Sequence, residues 1–185
     1  GVSLGTLYYS YWNSTESWYV WALSRFTKYN NNGSNADTII DYSGVIKTLP
    51  TSAFRFCSEL TTISLPNCSY IGSDAFFSTA LVSVSLPNCS YVGYAAFEKC
   101  TGLKNIDLPL CSYIGKYAFF SCSKLASINL PNCTFISEYA FKYCYSLKSI
   151  NLPLCSYVGW SAFENCTNLS TVSLPKVTYI SGGVF

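Results

Sequence analysis

The phrase Leu-Pro-Asn-Cys-Ser-Tyr-Ile-Gly, residues 65–72, returns with small changes at Leu86, Leu108 and Leu152. It is part of a longer repeat that constrains most of the chain. Pro66, Pro87, Pro109, Pro131, Pro153 and Pro175 stand 21, 22, 22, 22 and 22 residues apart. Each proline closes one pattern: Leu60/Ile63/Leu65, Leu81/Val84/Leu86, Leu103/Ile106/Leu108, Leu125/Ile128/Leu130, Leu147/Ile150/Leu152 and Leu169/Val172/Leu174. A cysteine and then Ile or Val follow in most copies, so the unit reads LxxIxLxxCxxI. A period of this length marks a solenoid, in which one coil cannot bury its apolar face alone and needs a neighbour stacked on it.

Within a coil, LxxIxLP reads as a short strand with its apolar residues inward. Proline ends it, because a residue without N–H cannot sit inside a hydrogen-bonded ladder. The other half-coil carries Ala-Phe at residues 53, 75, 96, 118, 140 and 162, with Val184-Phe185 in the last copy. Good helix formers there predict one short helical turn, with Phe plugging the core and Ala allowing close approach. Gly72, Gly93, Gly115 and Gly159 share a column with Ser137, Ser181 and Pro50. Proline fixes φ near −65°, so glycine in this column reads as room for close packing rather than as a left-handed backbone.

The ten cysteines fall into two columns. Cys68, Cys89, Cys111, Cys133 and Cys155 follow the strand; Cys57, Cys100, Cys122, Cys144 and Cys166 precede it. Ile46 and Val177 replace the first column at the ends, and Thr79 replaces the second in the shortened coil. These residues share shape with cysteine, not its reactivity, so both columns read as slots for a small, mostly apolar side chain. Zinc would call for clustered CxxC pairs, and there are none. A nucleophilic cysteine needs a base, and the chain has no histidine. Stacked coils bring cysteines within disulfide range, but an odd number per column cannot pair completely. Buried free thiols are favoured over disulfides.

The stretch YIGKYAFFSCSKLASINLP, residues 113–131, resembles the BspA-like leucine-rich repeats in its order of IG, AF, C, L, I and LP. The likeness runs from about residue 39 to 185. It implies a leucine-rich repeat solenoid: a right-handed stack of coils, parallel strands on the concave face, short helical turns or loops on the convex side. It also implies a cell-surface or secreted setting and a role in adhesion or host interaction. No cofactor is expected. This chain is richer in cysteine than the commonest members.

Residues 1–38 fall outside the repeat. Trp18, Trp21, Ala22, Arg25, Phe26 and Tyr29 lie at helical spacing, yet the same aromatics suit a hairpin turning at residues 13–17. Either would cap the first coil. The solenoid then spans 39–185, with six strand-bearing coils and a partial coil at each end. The chain has no methionine and no secretion segment, so it reads as a processed form or an expressed fragment whose own targeting information is lost. Phe185 falls half-way through a coil with no polar cap after it, and this open edge is expected to self-associate.

If the apolar columns are packing, function belongs to the outward positions. On the strand face these include Lys104, Asn105, Asp107, Ser127, Asn129, Lys148, Ser149 and Asn151. Solenoids bind through such concave surfaces; the same small polar groups also suit a merely solvated face. A second stripe, Tyr70, Tyr91, Tyr113, Phe135, Tyr157 and Tyr179, is either an aromatic platform for sugar rings or protein, or a shield for the core edge; its regularity favours the shield. Tyr94, Tyr117, Tyr139 and Trp160 are less regular.

Other functions fit poorly. A net charge of +2 and the lack of basic side chains along the aromatic stripe argue against nucleic acid. The longest apolar run, residues 18–23, is too short to cross a bilayer. The nine carboxylates show no inward pair, and no phosphate-cradling glycine loop is present. Glycosylation sequons at Asn67, Asn88 and Asn132 recur with the repeat and carry little weight. The expected function is non-catalytic recognition of a protein or glycan. The alternative is a spacer that presents another domain and has no ligand of its own; an intracellular sensor, resting on the free thiols, is third.

Overall fold

The structure is a computed structural model and describes residues 38–41, 44 and 46–185. The capping segment expected before the repeat therefore lies outside the described residues. The strand-face strands are β1 (Thr38–Ile40), β3 (Thr62–Ser64), β5 (Ser83–Ser85), β7 (Asn105–Asp107), β9 (Ser127–Asn129), β11 (Ser149–Asn151) and β13 (Thr171–Ser173). Between them lie the two-residue strands β2 (Thr48–Leu49), β4 (Tyr70–Ile71), β6 (Tyr91–Val92), β8 (Tyr113–Ile114), β10 (Phe135–Ile136), β12 (Tyr157–Val158) and β14 (Tyr179–Ile180).

Each coil thus contributes two strands, not one. The even strands form a continuous seven-stranded parallel sheet. The odd strands pair in parallel as β1-β3-β5, β7-β9 and β11-β13, with β5 beside β7 and β9 beside β11. Register follows the repeat: Ile63 stands opposite Val84, and Ile106 opposite Ile128. Such in-register parallel pairing makes each residue the neighbour of its own counterpart one coil on.

The expected helical turn is absent. Each Ala-Phe half-coil is instead a run of tight turns in which two residues take positive φ: Asp74 and Ser78, Ala95 and Lys99, Tyr117 and Ser121, Tyr139 and Tyr143. A left-handed residue costs about 1–2 kcal/mol and stops a helix. What it gains is a bond along the solenoid axis. Every positive-φ residue from Ser52 to Tyr143, glycine aside, donates its N–H to a carbonyl of the next coil; Asp74 donates to Tyr94 and Ser78 to Glu98, both at 2.8 Å. Phe76 N–H, between them, donates to Ala96 O at 2.7 Å. The turn side is therefore a third inter-coil ladder.

Between the three ladders lies one core. Phe54, Phe76, Phe97, Phe119, Phe141 and Phe163 are fully buried and stack ring on ring at 5.0–5.5 Å. Each contributes about 1.5–3 kcal/mol of burial. Gly115 takes no positive φ, but a Cβ there would stand 2.7 Å from the Gly93 backbone; at Gly159 it would stand 2.6 Å from Glu138 N. Close packing, as the sequence implied, is what that column demands. The last coil is open: Val172, Ile180 and Phe185, counterparts of buried Ile150, Val158 and Phe163, are 40%, 50% and 58% exposed around a cavity of about 650 Å³.

These backbone roles reverse the usual rule for glycine. Gly115→Ala should cost about 1–3 kcal/mol by overpacking, seen as a lower urea midpoint. Ser121→Gly, at φ 58°, should be neutral or stabilising by up to about 1 kcal/mol. Equal losses in both variants would contradict this account.

Candidate functional site

Both cysteine columns are free thiols and all ten are buried. They are more than filler. In the first column Cys68, Cys89, Cys111, Cys133 and Cys155 each donate S–H to the carbonyl two residues on, at 3.1–3.4 Å. In the second, Cys100, Cys122, Cys144 and Cys166 donate across the stack to Phe76, Phe97, Phe119 and Phe141 O, at 3.0–3.1 Å. Thr79 keeps a hydroxyl in this column, 3.2 Å from Cys100 Sγ. Burial pushes the Cys68 thiol up to about 11 and those of Cys100 and Cys166 to about 12. Cys89 and Cys111 share a hydrogen bond; that bond, then burial, pushes Cys89 far up, while Cys111 is drawn down by it. Among the described residues no group of three or more His, Cys, Asp or Glu could hold a metal ion. These thiols are a structural element.

The tyrosine stripe lies on the even-strand sheet. Its neighbours Tyr70, Tyr91, Tyr113, Phe135 and Tyr157 stack at 4.5–5.2 Å with 2–10° between planes, and Tyr179 follows at 6.2 Å. A sugar ring stacks on an aromatic face, and here the inner faces are covered by the next ring. The stripe offers solvent ring edges and phenol oxygens. Beside it the hydroxyls of Ser69, Ser90, Ser112, Thr134 and Ser156 donate to the preceding coil's carbonyls at 3.0–3.3 Å. Asn67, Asn88 and Asn132, the recurring sequon positions, spend their Nδ2 donors on Gly44, Pro66 and Pro109 O.

The turn side carries a second aromatic group. Tyr94 meets Tyr117 edge-on, Tyr117 stacks on Tyr139, and Tyr139 meets the exposed Trp160. Lys116 and Lys142 lie over these rings, and Lys142 Nζ binds Glu164 at 2.8 Å. That hydrogen bond raises the lysine and lowers the carboxyl. Cations and rings here satisfy one another.

The strand face differs. Lys104, Asn105, Asp107, Ser127, Asn129, Lys148, Ser149 and Asn151 are all exposed, on three adjacent coils. The buried Ile106, Ile128 and Ile150 alternate with them and hold them outward. Ser127 Oγ–H donates to Asn105 Oδ1 and Asn129 Nδ2 to Asp107 Oδ1, both at 2.7 Å. Among the described residues the ion pairs are Lys99–Glu98 and Lys142–Glu164, so neither Lys104 nor Lys148 is in one. Sequence reasoning passed over Lys124, exposed in the turn before β9; its signal was a cation at a position held in the other coils by Glu59, Ala80, Gly102, Ser146 and Asn168.

With the geometry in place, comparison with known proteins decides the family. Residues 27–104 and 69–185 match the BspA type leucine-rich repeat region, in six copies. The chain belongs to this family. Solved structures similar to it include a leucine rich cell surface protein from Faecalibacterium prausnitzii, at 25% identity and TM-score 0.62, covering 73% of this chain and 37% of that one. A leucine-rich repeat protein from Bacteroides ovatus is similar at 26% identity and TM-score 0.59, covering 76% of this chain and 44% of that one. The chain thus spans less than half the length of either. No curated protein matches it.

The thiol geometry sets a pH dependence for this BspA-type coil. Unfolding returns the thiols to their ordinary value near 9, so the unfolded chain loses its protons first as pH rises. Their contribution to stability is intact below about pH 9 and falls from there to about pH 11–12. Urea midpoints between pH 8 and 11 should fall, and should fall less in Cys68→Val/Cys100→Thr, the kinds of residue the repeat itself substitutes. An unchanged slope would contradict the assignment.

Proposed function

We propose that the chain is a non-catalytic recognition module of a cell-surface or secreted protein, binding a protein or glycan partner through the strand face. One observation carries this reading. The repeated side chains are used up by the fold, in the core, the thiol bonds, the stacked rings and the hydroxyl rows, whereas Lys104 and Lys148 break the pattern of small groups on an open face and are in no ion pair among the described residues. A fold maintained for spacing alone has no use for that irregularity. Solenoid repeats commonly bind through such extended surfaces, and the similar Faecalibacterium prausnitzii protein is a leucine rich cell surface protein. The open last coil is a separate surface, at which we propose that chains pair; Ile180→Lys should then lower the mass seen in light scattering at high concentration, and a parent chain monomeric throughout would contradict it.

The test of recognition is a screen of the purified chain against extracellular-matrix proteins and a glycan array, with Lys104→Glu/Lys148→Glu beside it. The expected result is a bound partner whose binding is lost in the variant while circular dichroism stays unchanged. Binding that survives the charge reversal moves the site off this face; no binding at all favours a spacer.

A further inference from the structure

We propose that Lys104, Lys124 and Lys148 form a cradle for the anionic groups, carboxylates or sulfate esters, of an acidic polysaccharide lying across the strand face. This rests on the recognition reading above and names its ligand class. The cradle follows from register. Ala126 N–H donates to Lys104 O at 2.8 Å, Lys148 N–H to Ala126 O at 3.3 Å, and Ser170 N–H to Lys148 O at 3.0 Å. Lys104 and Lys148 are therefore one coil either side of Ala126, about 10 Å apart at the backbone. A methyl group floors the gap between two long cationic side chains. In the middle coil the exposed Lys124 stands two residues before Ala126, with the buried Leu125 between them, so its long side chain is within reach of the same gap.

The charges are available. All three lysines are exposed, and the ion pairs among the described residues lie on the turn side. Asp107, a carboxylate of this face, already accepts from Asn129. Three ammonium groups that make no ion pair among the described residues and can reach one gap suit a multiply charged anion, because charge-assisted hydrogen bonds are the strong ones.

The surroundings choose between polyanions. Beside the cradle run Ser83, Asn105, Ser127, Ser149 and Thr171, and beyond the inward column Ser85, Asp107, Asn129, Asn151 and Ser173. These are short hydroxyl, amide and carboxylate groups with no aromatic ring among them. A protein partner would find one small apolar group, Val82, exposed one coil before Lys104, and no aromatic ring in these rows, whereas clustered aromatic and apolar anchors carry most protein interfaces. Sugar hydroxyls would find a partner at every coil. Rows repeating about every 4.8 Å also favour a linear polymer laid along the axis.

The experiment titrates the full chain with a heparin octasaccharide, oligogalacturonate, a neutral dextran oligosaccharide and poly-L-glutamate at low and physiological salt, alongside the matrix proteins. Three variants accompany it: Lys104→Gln/Lys124→Gln/Lys148→Gln; a charge-matched control, Lys47→Gln/Lys116→Gln/Lys176→Gln; and Ser127→Tyr, which blocks the face without changing charge. Circular dichroism checks that each is folded. The expected result is binding of heparin or oligogalacturonate, weakened about tenfold or more in the cradle variant, weakened in Ser127→Tyr and nearly unchanged in the control. Which of the two binds separates sulfate from carboxylate. Equal loss in the control, or equal binding of poly-L-glutamate, would overturn the cradle as a mere charge effect. A neutral glycan or matrix protein lost in Ser127→Tyr but kept in the cradle variant would overturn the cradle and leave recognition standing. Binding to none of the probes overturns both.

Discussion

In-register hydrogen bonding between coils is the constraint on which the rest depends. Three ladders, one on each side, hold every residue about 4.8 Å from its counterpart in the next coil. A side chain therefore has to be a good neighbour to itself. Phenylalanine and tyrosine stack on their own copies, thiols donate to a carbonyl without crowding, and serine hydroxyls bond to the coil before. A charge repeated in this way would face like charge at each step, which is destabilising. Ionisable groups are accordingly scattered, and Lys104 and Lys148 share a column only with Ala126 between them. The positions that can distinguish one partner from another are the ones the repeat does not fix.

The cysteines illustrate how a column is chosen. Size alone would admit valine or isoleucine, and at the ends Ile46 and Val177 do stand in the first column. What cysteine adds is one weak donor for a carbonyl inside the stack. The Phe97 carbonyl, for example, receives both the Cys100 N–H and the Cys122 S–H. Burial keeps such thiols protonated, which suits a donor and removes the nucleophile.

The repeat, the odd strands, the core columns and the close-packed glycines were legible because each is a spacing, and spacings survive in one dimension. The turn side was not. Ala-Phe looks helical, but Asp74, Ala95 and Tyr139 sit in left-handed conformations that ordinary residues mark no better than others. Glycine, the usual signal, is absent from those positions, since inter-coil bonds rather than residue preference hold them. The even-strand sheet escaped because two residues are too few to show a period. On the candidate site, the outward alternation marked Lys104 through Asn151 as solvent-facing, and they are exposed. That Tyr91 and Tyr113 close their faces against each other needed ring orientation, and the exposure of Lys124 needed the fold of the turn before β9.

The central claim is a division of labour: repeated columns hold the coil stack, and irregular strand-face residues bind. The measurement that tests it most directly is saturation mutagenesis of the whole chain, displayed on a cell surface and sorted separately for protease resistance and for capture of whatever partner the binding screens identify. The account predicts that substitutions at Phe119, Cys122, Gly115 and Tyr113 lower protease resistance and capture together, while those at Lys104, Lys124, Ser127 and Lys148 lower capture alone. Capture-only positions clustered on the tyrosine stripe or around Trp160, with the strand face silent, would contradict it.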